Sequence, residues 1–277
     1  MPMRPTKTIL SLALAAFFGA LSLAGAARAA DAETPPPVPA PAPEREWTIT
    51  VAPYLWAAGI NGDVGLFGRE PVHVDESFSD IFKDLKFGGM AVVELHNGTW
   101  GLFGDLVYAK TEADASATRS ILGVPVTLSG TVETSAFTGT VMGEYRAYST
   151  PTATLDLMAG ARIWDIDNDI ELALAAGGPP LAAFSGSDGA TWVDPMVGAK
   201  GRYNIDDSWF LNGWAMVGGF GAGSDITWDL LGAVGYQYNE HVSFALGYRA
   251  MGVDYDHDGF VYDVVEHGPV LGTVFRF

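Results

Sequence analysis

The sequence predicts an all-β fold: a closed antiparallel up-and-down transmembrane β-barrel of about ten strands, with eight and twelve as the alternatives. Three observations carry this prediction. The final stretch, Gly268 to Phe277, alternates: Leu271, Thr273, Phe275 and Phe277 share one face, and Val270, Gly272, Val274 and Arg276 share the other, which is the period-two pattern of a strand. Tight turns and longer connections take turns along the chain. Aromatic residues recur at fixed spacing on one face of several strands, while charged residues collect on the opposite face.

Ahead of the strands, Arg4 and Lys7 precede an apolar run from Ile9 to Leu23, and Ala27-Arg28-Ala29 places small residues where a signal peptidase reads. Residues 1–29 are therefore read as a signal peptide cleaved after Ala29. A spanning helix needs about 20 apolar residues, and the run falls short of that. Residues 30–45 carry Pro35, Pro36, Pro37, Pro39, Pro41 and Pro43 and read as an extended, coreless periplasmic linker. Residues 46–277 are left for the barrel.

The chain has no cysteine, which excludes a disulfide framework and thiolate chemistry. Its net charge is -18, and removing Arg4, Lys7 and Arg28 with the signal takes three from 15 basic residues against 33 acidic ones, for a net charge of -21. Nucleic acid is excluded as a partner, because phosphate binding needs clustered Lys and Arg.

The tight connections are Asn97-Gly98, the turn from Ser149 to Thr152 around Pro151, Asp206-Asp207 and Asn239-Glu240, all with hairpin chemistry. The longer ones run over 61–85, 112–130, 167–190, 219–224 and 256–267. Between them lie strands at 46–60, 86–96, 99–111, 131–148, 152–166, 191–204, 208–218, 225–238, 241–255 and 268–277. Short turns on the periplasmic side and longer loops outside are the outer-membrane arrangement, and the strand number is even, as single-chain bacterial barrels require. A terminal aromatic strand must also be covered against edge pairing, and the first strand is the natural cover.

The two faces of each strand test the assignment. Trp100, Leu102, Leu106 and Tyr108 share a face, as do Phe137, Val141 and Tyr145, and Trp228, Leu230, Val234 and Tyr236. Eight residues at about 3.3 Å each, tilted by about 40°, span about 20 Å, so the flanking rings bracket an apolar band of roughly the height of a bilayer core. Trp47, Tyr203, Trp209, Tyr238, Phe275 and Phe277 extend the girdle at the tight-turn end, and Phe87 and Tyr248 the other. The strand over 208–218 is ambiguous, because Asn212 and Trp214 share a face with Phe210 and Met216.

The opposite faces carry Lys86, Glu94, His96, Asp105, Glu144, Arg146, Asp156, Arg162, Asp194, Lys200, Arg202, Asp229, Arg249 and Arg276. An Arg or Lys facing lipid at mid-membrane costs about 2 to 4 kcal/mol, so these residues belong in the lumen. A ten-stranded barrel is only slightly wider than the eight-stranded kind that side chains fill. The acids and bases nearly balance, so they are expected to pair, with Glu144, Arg146, Asp156 and Arg162 forming one network. Residues 77–85 read as a short helix whose Phe78, Ile81, Phe82 and Leu85 share a side; it either constricts the mouth or lies on the membrane surface.

The stretches PYLWAAGINGDVG from Pro53, WGLFGDLVYAK from Trp100, WVDPMVGAKGRY from Trp192, GGFGAGSDITWDLLGAVGYQ from Gly218, LGYRAMGVDY from Leu246 and GPVLGTVFRF from Gly268 resemble a family of uncharacterised outer-membrane β-barrel proteins of Gram-negative bacteria. The terminus also resembles the C-terminal insertion signal of such barrels, with Gly272, Phe275 and Phe277 at its spacing and Val270 at its polar position. The resemblance implies location and fold only. The partners expected for a barrel in that location are outer-membrane lipid, lipopolysaccharide and the barrel-assembly machinery.

Candidate chemistry beyond the lumen sits at the outer rim. Asp254, Asp256, Asp258 and Gly259 reproduce the opening of a calcium loop, but Val265 stands where its bidentate Glu belongs. His257 and His267, with Asp263 and those aspartates, offer an acid–base pair for a rim-located hydrolase. No nucleophile elbow, zinc helix or phosphate loop occurs. The reading adopted is an integral outer-membrane barrel, structural or a narrow small-solute channel, without catalytic residues, metal or cofactor. The alternatives are surface binding or adhesion through acidic external loops, and the rim hydrolase.

Overall fold

A computed structural model of the chain describes residues 46–121 and 124–277. The signal-peptide and linker expectations lie outside the described residues. The elements are β1 Thr48–Trp56, β2 Gly59–Gly65, β3 Val72–Glu76, α1 Phe78–Asp84, β4 Leu85–His96, β5 Trp100–Ile121, β6 Val124–Ser149, β7 Ala153–Ala176, β8 Pro180–Asn204, β9 Trp209–Gly219, β10 Ile226–Gln237, β11 Val242–His257 and β12 Phe260–Arg276.

All pairings are antiparallel, in the order β1-β4-β5-β6-β7-β8-β9-β10-β11-β12-β2-β3, and β1 also pairs with β12. That last pairing closes the sheet. The closed ring holds ten strands, β1 and β4 to β12, and the twelve-stranded total adds the short β2–β3 hairpin. β2 continues the line of β1 along β12: Trp56 faces Val270, the Ala57 N–H bonds Pro269 at 2.9 Å, and Gly59 faces His267. The terminal aromatic strand is thus covered by the first one, and Ile49 and Phe277 exchange backbone bonds of 3.2 and 2.8 Å.

The four tight turns form as the sequence indicates, each closed by a side-chain oxygen that accepts backbone N–H groups. Asn97 Oδ1 accepts from Thr99 and Trp100, Asp206 Oδ1 from Ser208 and Trp209, Asn239 Oδ1 from His241 and Val242, and Thr150 Oγ1 from Ala153, at 2.8 to 3.1 Å.

Most of the longer connections differ from expectation, because they are largely sheet. β5, β6, β7 and β8 run 22, 26, 24 and 25 residues, whereas about 9 to 11 residues cross a bilayer. Pairing simply continues past the apolar band, from Thr111↔Thr134 to Ile121↔Val124 and from Asn168↔Asp188 to Ala175↔Pro180. Most residues there are small, β-branched or polar, and the larger apolar ones, such as Leu128, Leu172 and Phe184, are exposed, so the alternation fades while the backbone still gains from the ladder. The 256–267 connection is a hairpin about Asp258-Gly259, both at positive φ (54° and 85°), the pair a type I′ turn requires.

The strand faces sort as the alternation predicts. Trp100, Val141, Leu230, Leu246 and Phe277 are exposed outward, as are Phe87 and Tyr248 in the far girdle. β9 is resolved: Phe210 and Met216 are buried inside with Trp214, while Trp209, Leu211 and Val217 face out. α1 buries none of its residues, Phe82 is 61% exposed, and Phe78 and Phe82 stack at 5.5 Å. The helix therefore is not packed inside the lumen.

Candidate functional site: the barrel lumen

Alternation puts every second residue of the ring strands inside, and at mid-height the inward positions are Tyr54 of β1, Asp105 of β5, Thr140 of β6, Arg162 of β7, Trp214 of β9, Asp229 of β10 and Arg249 of β11. Arg162, Arg249 and Asp229 are completely buried. Arg249 donates to Asp229 (3.1 and 2.6 Å), to Asp105 across the lumen (2.6 Å) and to the Tyr54 hydroxyl (2.6 Å), which in turn donates to Asp105 at 2.7 Å. Arg162 donates to Asp229 at 2.6 Å and to Thr140 at 2.8 Å, and the Trp214 indole N–H reaches Asp229 at 2.9 Å. The Arg249 guanidinium also lies 4.9 Å from the Trp56 ring centre. Two guanidinium and two carboxylate groups neutralise one another here, which is how buried charge becomes tolerable.

A second cluster sits nearer the tight turns. Lys200 bridges Glu94 and Glu144, each at 2.6 Å, and Arg146 forks onto Asp156 with one contact of 3.2 Å. His96 accepts the Gly98 N–H on Nδ1 at 2.7 Å, leaving Nε2 toward Asp156 at 3.7 Å. The expected network of Glu144, Arg146, Asp156 and Arg162 is therefore split: only Arg146 and Asp156 pair with each other. Glu144 turns to Lys200 and Arg162 to Asp229, partners two and three strands away in chain order.

Above the ionic belt, toward the long-strand end, the lumen is filled with rings. Trp164 stacks on Trp192 (centroids 5.7 Å apart) and Trp192 on Tyr255 (3.9 Å), packed with Trp56, Phe260 and Tyr262. Below and beside the belt, Phe103, Met142, Met158, Met196 and Met216 pack together.

Three members of the predicted network behave differently. Asp194 meets no cation among the described residues; it accepts from the Ser224 N–H (2.7 Å), the Ser224 hydroxyl (2.9 Å) and the Trp192 indole (3.2 Å), and so clamps the turn between β9 and β10. Arg202 stacks on Phe210 at 3.5 Å and donates to Asn204 at 2.9 Å, with no carboxylate in reach among the described residues. Lys86 lies beside a β-bulge between Leu85 and Phe87, which breaks the alternation; it pairs with Glu112 at 3.0 Å in a half-exposed position. Sequence reasoning missed Tyr54, Thr140 and Trp214, because uncharged and aromatic residues were sought on the lipid side. Tyr54 and Trp214 occupy inward parity, and that was the available signal.

At the rim, Asp254 and Asp256 take alternate positions on β11 and Asp258 sits in the turn. Among the described residues no three His, Asp or Glu side chains converge on a point that would hold a metal ion. His267 bonds the Tyr248 hydroxyl at 2.6 Å, His257 lies edge-on to Tyr255 at 5.1 Å, and neither bonds a carboxylate among the described residues. His267 faces Ala250 and His257 faces Phe260 along the β11–β12 ladder, so the two imidazoles stand far apart.

No protein-family model matches the sequence, and no curated protein does either. Among solved structures, the chain is similar to the outer membrane protease OmpT from Escherichia coli at 9% identity, with 84% of this chain and 97% of that one covered and a TM-score of 0.54. The attachment invasion locus protein Ail of Yersinia pestis (12% identity, 83% and 98% covered, TM-score 0.31) and the P. putida toluene transporter TodX (12%, 85% and 90%, TM-score 0.33) are more distant in shape. The likeness to OmpT is one of fold. With a closed ring, an apolar outer face between two aromatic girdles and polar residues within, the chain is an integral β-barrel of the bacterial outer membrane.

Proposed function

We propose that this protein is a closed structural barrel, whose lumen is a charge-paired and aromatic plug rather than a conduit. The supporting observation is the mid-height belt, in which Arg249 and Arg162 tie β11 and β7 to Asp105 and Asp229 on other walls with all four side chains essentially buried. A water-filled channel would solvate these groups, as in the far wider porins. The aromatic stack above the belt adds a second barrier. The rim gives an enzymatic reading little support: His257 and His267 bond no carboxylate among the described residues, and the one His–Asp contact there, His73 with Asp63 at 3.0 Å, is solvent-exposed.

The test is conductance in planar bilayers. Wild-type barrel conducts little or nothing, and Arg162→Ala opens measurable conductance or loses heat resistance. Steady wild-type conductance that Arg162→Ala leaves unchanged, with unchanged stability, makes the protein a channel instead.

A further inference from the structure

Below the ionic belt the lumen opens into a cavity of about 410 Å³ whose lining comes from the tight-turn ends of the ring strands. Its inner end is blind, because Tyr54 and Trp214, which line it, belong to the buried belt. In an outer-membrane barrel the tight turns face the periplasm, so this is a periplasmic pocket. It goes beyond the structural reading, since a plugged barrel has no need of an open vestibule.

The charge on its walls is unbalanced. Arg146, Lys200, Arg202 and Arg276 line it against only Glu94 and Asp156. Arg146 is held by Asp156 and Lys200 by Glu94 and Glu144, whereas Arg202 and Arg276 meet no carboxylate among the described residues. Arg202 is also pre-oriented, its guanidinium carbon 3.5 Å from the centre of the Phe210 ring and its N–H groups donating to Asn204 and Gln237 at 2.9 and 3.4 Å. A planar fork fixed over a ring presents donors suited to a carboxylate. Deeper in, Val92, Phe103, Trp214, Leu231 and Val270 form an apolar wall.

We propose that this pocket binds a small amphipathic carboxylate from the periplasm, apolar body inward and anionic head between Arg202 and Arg276. A cavity of this size, mainly apolar with a few convergent polar groups, has the anatomy of a small-molecule site. An amine is repelled by two guanidinium groups that no carboxylate neutralises among the described residues. An alcohol leaves their charge uncompensated.

The experiment is calorimetric titration of the mature barrel in lipid nanodiscs with 4-phenylbutyrate, against empty nanodiscs, 4-phenylbutanol and 4-phenylbutylamine. The acid binds saturably, at one site per barrel, at least about tenfold more tightly than the alcohol, the scale of one lost charge-assisted contact. Arg202→Gln and Arg276→Gln each weaken the acid by a similar factor and leave the alcohol unchanged. Arg276 is exposed at the mouth, so that variant assembles even where Arg202→Gln does not, and it then decides the matter with the alcohol comparison. Equal binding of acid and alcohol, binding of the acid undiminished in Arg276→Gln, or no saturable binding overturns the proposal. The readout is independent of conductance, so a barrel that turns out to conduct leaves it standing.

Discussion

Arg249 holds together more of the interior than any neighbour-to-neighbour contact does, since its guanidinium reaches Asp229, Asp105 and Tyr54 at once. Removing one partner of a buried ionic cluster leaves the others charged without compensation, at a cost of about 3 to 5 kcal/mol. Arg249→Met is therefore expected to lower the temperature at which the barrel changes its migration in detergent gels, and by more than Asp105→Asn, which leaves Arg249 its Asp229 partner. An equal or smaller effect for Arg249→Met contradicts the central role of the guanidinium. At the surface, Asp206 shows charge used differently. Two backbone N–H groups, of Ser208 and Trp209, stabilise its carboxylate and hold it below the usual aspartate range. Because the folded value is depressed, this contribution is present above about pH 4, the unperturbed aspartate value, and fades as pH falls through the folded one. Unfolding midpoints in urea between pH 5 and pH 2 should show a wild-type loss that Asp206→Asn lacks; parallel profiles count against the turn's part in it.

Among the elements, β12 has the most demanding position. It pairs with β11 along its whole length, with β1 at one end and with β2 at the other. Phe277, one residue past its end, exchanges backbone bonds with Ile49, and its outward Leu271 and Phe275 face lipid. We propose that this strand is also what the assembly machinery reads. Deleting Phe277 is expected to reduce the amount of barrel in the outer membrane several-fold relative to wild type, by immunoblot of fractionated cells. Equal levels remove that role. β5 to β8 show the opposite behaviour: their outer halves leave the apolar band and continue as sheet, held by ladder bonds and by surface pairs such as Lys110–Glu133 at 2.7 Å.

For the molecule as a whole, the lumen bonds matter because they join walls that the hydrogen-bonded ladder does not place side by side. Arg162 and Asp229 lie on β7 and β10, with β8 and β9 between them in the ring. A double-mutant cycle with Arg162→Ala and Asp229→Ala is expected to return a coupling of about 0.5 to 3 kcal/mol in the free energy of unfolding from lipid, the range for directly contacting buried partners. A coupling near zero means the two groups are solvated separately, and with it the plug fails.

Local patterning was enough for the wall of this barrel. Period-two alternation assigned Trp100, Val141 and Leu230 to lipid and Asp105, Arg162 and Arg249 to the lumen, and Asn97, Asp206 and Asn239 marked turns, because both signals depend on residues a few positions apart. The ring of ten strands followed from counting those signals. Distance along the chain hid the rest. Arg249 and Tyr54 are 195 positions apart, and which inward residues meet depends on strand stagger and on the closure of β1 against β12, which no window of sequence contains. The same holds for Glu144 choosing Lys200 over Arg146, for Asp194 clamping Ser224, and for the pocket between Arg202 and Arg276. The length of β5 to β8 was illegible for a different reason: where water lies on both faces the alternation carries no energy, and only backbone pairing keeps the strands extended.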